Sequence, residues 1–214
     1  MFLLIKRVRC KVRGAMSARS TQQLSLHLLL LAAVIVSSCT PKSKVTESRF
    51  FSFDSLVNNQ VASLKQSKYE LNKLVEIDGK KEETRFTPDS TQWSNELEIF
   101  RLLDALNKAS FRDAYVVSEM RDTNSNLTVR EIKAQRPAPV SLVKFYFLRT
   151  PNDLRRIEAT WLEENTLYTN TRRMVIELDQ VANQSLIHRY RIEGFQKMVM
   201  DDSVKFLVAG EVAM

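Results

Sequence analysis

From Tyr115 onward the chain reads as strands almost without interruption, and the gaps between them are short. The stretches Tyr115–Arg121, Leu127–Gln135, Val140–Arg149, Leu154–Glu163, Thr171–Asp179, Leu186–Glu193 and Val204–Val212 are rich in β-branched, aromatic and aliphatic residues. Asn124-Ser125-Asn126, Pro137-Ala138-Pro139 and Pro151-Asn152-Asp153 supply turn chemistry between them. A parallel crossover takes about a dozen residues or more. Connections this short return each strand beside its predecessor, so the expected sheet is an antiparallel meander.

Period-two alternation gives that sheet two unlike faces. Val143, Phe145 and Phe147 share one side, as do Ile157, Ala159 and Trp161 on the next strand. Met174, Ile176 and Leu178, then Leu186, His188, Tyr190 and Ile192, continue it. Lys144, Arg156, Glu158, Arg173, Glu177, Arg189, Arg191 and Glu193 fall on the other side. The apolar face needs a cover, and the first half of the mature chain contains two helical patterns. Phe53, Val57, Val61 and Leu64 recur at helical spacing, with Asp54 as the expected N-cap. Trp93, Leu97, Phe100, Leu103 and Leu106 do so after Pro88 and a cap at Asp89 or Ser90, with an end near Asn107.

Between the helices lies a hairpin. Tyr69 to Ile77 alternates, Asp78-Gly79 suits a type I′ turn, and Lys80 to Phe86 returns. The return strand is mostly charged, which places it at a sheet edge. The expected fold is α+β: a curved antiparallel β-meander of about eight or nine strands with two helices packed on one face, their apolar stripes meeting Phe145, Phe147, Ile157 and Trp161.

The formal net charge of +7 suggests an anionic partner until the charges are located. Lys6, Arg7, Arg9, Lys11, Arg13 and Arg19 lie in residues 1–38 with no acid among them, and they account for all but one unit of the excess. An apolar run follows, Leu28 to Val36, nine residues long. A spanning helix needs about 20, so the run has the length of a secretory signal and not of a membrane span. Val36-Ser37-Ser38-Cys39 then resembles the lipobox of bacterial lipoprotein precursors. The resemblance implies that Cys39 receives a diacylglycerol on sulfur, with acyl chains such as palmitate, and that residues 1–38 are cut away as a signal peptide. In that family an Asp after the Cys often retains the protein at the inner membrane. Thr40 stands there, which implies the outer membrane, facing the periplasm. Met16 followed by Arg19 would make a more usual start than Met1. Residues 39–51 read as a tether and 52–214 as one domain. The signal is expected not to pack against that domain. Cys10 goes with it, leaving the mature chain without a disulfide in an oxidising compartment.

The mature residues carry little that catalysis needs. His188 is their only imidazole, too few for a zinc site, and no Asp-rich loop with a central Gly exists. His188 is also the only base for a Ser or Thr nucleophile, and no Gly-x-Ser-x-Gly elbow accompanies it. Gly79, Gly194 and Gly210 stand alone, so phosphate-loop fingerprints are missing. Glu82-Glu83, Glu163-Glu164 and Asp201-Asp202 are sequence neighbours whose side chains diverge. The expectation is a non-catalytic domain with no metal, no cofactor and no nucleic-acid partner. Two roles remain. One is binding of an apolar ligand or envelope component, with Trp161, Phe145, Phe147, Tyr190 and His188 as candidate ligand-facing residues. The other is a structural or accessory subunit of a cell-envelope complex, using the charged face or an edge strand. A void between helices and sheet favours the first, and a filled core the second.

Overall fold

A computed structural model describes residues 50–111, 113–198 and 202–214. The signal segment, the lipobox and Cys39 lie outside the described residues. Nine antiparallel strands form one open sheet: β1 (Glu70–Ile77), β2 (Lys80–Phe86), β3 (Tyr115–Arg121), β4 (Thr128–Ala134), β5 (Val140–Phe147), β6 (Leu154–Glu164), β7 (Tyr168–Val181), β8 (Gln184–Met198) and β9 (Val204–Ala213). Strands β3 to β9 are the expected meander. The β1–β2 hairpin adds itself to β9, giving the order β2-β1-β9-β8-β7-β6-β5-β4-β3. Asp78 and Gly79 both take positive φ, 48° and 82°, as the type I′ turn requires. The charged β2 is an edge strand, as its composition demands.

Helix α1 runs from Phe53 to Ser67. Its cap is Ser52, whose hydroxyl accepts from the Ser55 N–H at 3.2 Å, and not Asp54. Asp54 lies in the first turn, where a carboxylate favours the helix dipole. A second device supports this end. Asp104 accepts from the backbone N–H groups of Phe53 and Asp54, two donors that a helix start leaves unpaired.

Helix α2 spans Ser90–Leu97, with Asp89 as cap in a reciprocal capping box with Gln92. It then tightens into a 3₁₀ helix from Glu98 to Asn107. The expected end is right but the expected α-helical form is not. Leu97, Phe100, Leu103 and Leu106 recur every third residue, and all four are fully buried. Three residues per turn stack such a series on one line, whereas an α-helix would fan it across its surface.

Both helices pack on one face of the sheet. The core joins Phe53, Val57, Leu64, Trp93, Leu97, Phe100, Leu103 and Leu106 to Val143, Phe145, Ile157, Trp161, Met174, Ile176 and Tyr190. Trp93, Phe100 and Tyr190 are at most 1% exposed, so the space between helices and sheet is filled where the helices lie.

One expected face is corrected. Glu177 pairs with Arg189 and Leu178 with Ile187, so His188 is the extra residue of a β-bulge. The bulge shifts the alternation by one. Ile187 takes the core position, while His188 joins Arg189 near Glu211 on the charged face. Gln60 of α1, itself buried, completes the bulge: its amide donates to Ser185 O and accepts from Ile187 N–H, both at 2.8 Å. The charged face is largely self-paired, with Arg156 between Glu158 and Glu177, and Arg189 between Glu177 and Glu211.

Candidate functional site

Two aromatic residues open the described chain, and both pack against the core. Asn107, at the end of the 3₁₀ helix, holds them through the backbone. Its side chain accepts from Phe50 N–H at 3.0 Å and donates to Phe51 O at 3.1 Å. The same amide donates to Asp104 at 3.0 Å, which ties this clamp to the start of α1. Phe51 meets Phe53 edge-on and Phe145 at a tilt, with ring centroids 5.1 and 4.9 Å apart, and Phe50 meets Tyr115 edge-on at 5.8 Å.

Clamped there, Phe50 and Phe51 form one wall of a cleft of about 790 Å³. Tyr115, Ile132, Phe145, Phe147 and Leu154 of β3 to β6 supply its apolar lining. The volume lies within the range of small-molecule sites, roughly 300–1,000 Å³. Glu119 and Arg130 contribute its charge, and they are paired to each other at 3.1 Å. The Arg130 guanidinium also lies over the Phe147 ring, 5.8 Å from its centre. A charged pair held at an aromatic wall gives the cleft one polar end with no net charge. Burial pushes the Tyr115 phenol up.

The five residues selected from sequence separate into three places. Phe145 and Phe147 line the cleft. Trp161 belongs to the filled core, outside that lining, with Arg172 stacked 4.9 Å from its ring centre. Burial lowers the Arg172 pKa, and the ring face offers its guanidinium a cation–π contact. Tyr190 lies beneath α2, donating to Glu96 at 2.7 Å, and Glu96 in turn pairs with Lys73 at 2.6 Å. His188 is on the opposite face. Sequence reasoning missed Phe50, Phe51, Tyr115, Ile132 and Leu154. The pair Phe50-Phe51 beside Phe53 was the available signal, since a solvated tether has no use for adjacent aromatics.

Burial raises the Tyr190 phenol far above its ordinary value of 10.0, and the Glu96 carboxylate pushes the same way. A raised pKa means that the folded state holds the proton more tightly than the unfolded chain. The stability this gives is complete below about pH 10 and is lost as pH climbs beyond it. Thermal melts taken from about pH 9 to about pH 11 should therefore show a falling midpoint, and a shallower fall in Tyr190→Phe. Equal slopes would remove Tyr190 from the account.

Among the described residues, no group of three His, Cys, Asp or Glu gathers as a metal site, and no helix is long and apolar enough to cross a membrane. The chain matches no family model, no curated protein and no solved structure.

Proposed function

We propose that the folded part is a non-catalytic binding domain that takes an apolar ligand in the cleft between Phe50-Phe51 and strands β3 to β6. The supporting observation is a cleft that the helices leave uncovered at one end of the core. Helices and sheet fill the space around Phe100 and Tyr190, yet about 790 Å³ lined by aromatic and aliphatic side chains remains open at the β3 end. Phe147 is 4% exposed, lies outside the main core cluster and lines the cleft. Titration of the parent with an apolar fluorescent probe should saturate at one site. Phe147→Ala should weaken uptake at least about tenfold, a loss of roughly 1.4 kcal/mol, while keeping a cooperative melt. Unchanged uptake by a folded Phe147→Ala would refute the site.

The domain is carried, on this reading, by a lipid on Cys39 at the outer membrane, facing the periplasm. The support is the lipobox and the position of Cys39 before a mature chain with no other Cys. Cys39→Ala should leave residues 1–38 attached and the protein without lipid, as read by mass spectrometry. A parent whose N-terminus lies elsewhere, unlipidated, would contradict it. The accessory-subunit role has two observations of its own, the filled space between helices and sheet and the edge of β3, which among the described residues pairs only with β4. The charged face favours it less, because its arginines already have carboxylate partners.

A further inference from the structure

We infer that β3 is a self-association edge: two copies of this chain join their β3 strands antiparallel, in a register centred on Ser118. The two ends of the sheet are treated differently. Five of the seven residues of β2 are charged, Lys80, Lys81, Glu82, Glu83 and Arg85, which blunts that edge. At the other end β3 leaves Val116, Val117 and Met120 about half exposed, at 53%, 49% and 49%. Among the described residues no strand pairs with β3 except β4.

The backbone fixes which groups are on offer. Gln135 N–H donates to Ala114 O at 2.7 Å, and Asp122 N–H donates to Leu127 O at 2.9 Å. Ala114 and Asp122 therefore turn toward β4, and alternation along an antiparallel ladder turns Val116, Ser118 and Met120 the same way. The N–H and C=O groups of Tyr115, Val117, Glu119 and Arg121 point out of the sheet. A second β3 centred on Ser118 sets Tyr115 against the partner's Arg121 and Val117 against the partner's Glu119. All four outward residues are then used on each copy. Val116 meets the partner's Met120, so that each covers the other's exposed apolar side chain. No two like charges stand opposite one another. The two-fold axis runs perpendicular to the sheet, so both clefts open on one face and abut across the joined strands. Each copy thereby extends the wall that ends at β3 in the other. This inference does not depend on what the clefts bind.

Register makes the test sharp. Ser118 would face the partner's Ser118 as a non-hydrogen-bonded pair with Cα atoms about 4.5 Å apart, inside the roughly 4.4–6.8 Å that a disulfide spans. Val116 would sit four residues, ~13 Å, from the partner's Val116. The full chain is expressed in cells, and its membranes are oxidised with copper phenanthroline beside the parent. Ser118→Cys should give a dimer on a non-reducing gel that the parent lacks and that reductant removes. Val116→Cys and Met120→Cys should not link singly, whereas one chain carrying both should. Failure of Ser118→Cys to link overturns the inference, as does linking of Val116→Cys alone to the same extent. Occupation of the edge by another segment of the same chain would give the first of these failures.

Discussion

Truncating Phe100 to Ala should lower the stability of the domain by about 3–5 kcal/mol. Phe100 is fully buried, with its ring edge-on to Tyr190 at a centroid distance of 6.0 Å. It lies midway along the line Leu97-Phe100-Leu103-Leu106, which seats the 3₁₀ helix on the sheet. The neighbours that would have to collapse into the space belong to two elements already pinned elsewhere, α1 through Asp104 and β8 through Gln60. The hole should therefore persist, and the cavity cost adds to the lost transfer energy. Leu102, 37% exposed on the same segment, is the control, and its truncation should cost well under about 1 kcal/mol. Denaturant melts of the two variants decide the matter. Equal small losses would mean that the helical segment does not hold the core.

Gly210→Ala is the second large effect, and it comes from adding one carbon. Gly210 lies opposite Tyr190 in the β8–β9 register, and the tyrosine ring covers it. A Cβ there would stand 2.3 Å from two ring carbons, well inside contact. The ring cannot swing away cheaply, because its hydroxyl is bonded to Glu96 and its edge carries Phe100. Overpacking of this kind costs typically about 1–3 kcal/mol, and sometimes more. The clash is pairwise, so Gly210→Ala should cost much less in a Tyr190→Leu background. An additive double variant would place the strain elsewhere.

Most of the architecture was legible because strands write themselves locally. Tyr115–Arg121 and the return strand Lys80–Phe86 have the bounds read from the sequence, and Asp78-Gly79 turns as its chemistry requires. Three things were not legible, each for a physical reason. The union of β1 with β9 is a long-range pairing that no local pattern encodes. The 3₁₀ form of Glu98–Asn107 hides because a three-residue spacing fits an α-helical stripe nearly as well over two turns. The bulge at His188 comes from a strand pairing whose register slips by one residue, and a slip of one moves a side chain to the other face. That slip removed His188 from the candidate site. The cleft was half legible. Phe145 and Phe147 follow from alternation, but Phe50 and Phe51 are clamped there by the side chain of Asn107, more than fifty residues away.

Hydrogen exchange with and without an apolar probe tests the central claim most directly, because it reports where a ligand sits. Binding in the cleft should slow exchange at Phe50 and Phe51 and along β4 and β5. Amides of α2 and of β8 around Tyr190, inside a core already filled, should keep their rates. Protection confined to the α2–β8 region, or spread evenly over the domain, would contradict a binding cleft at the β3 end of the sheet.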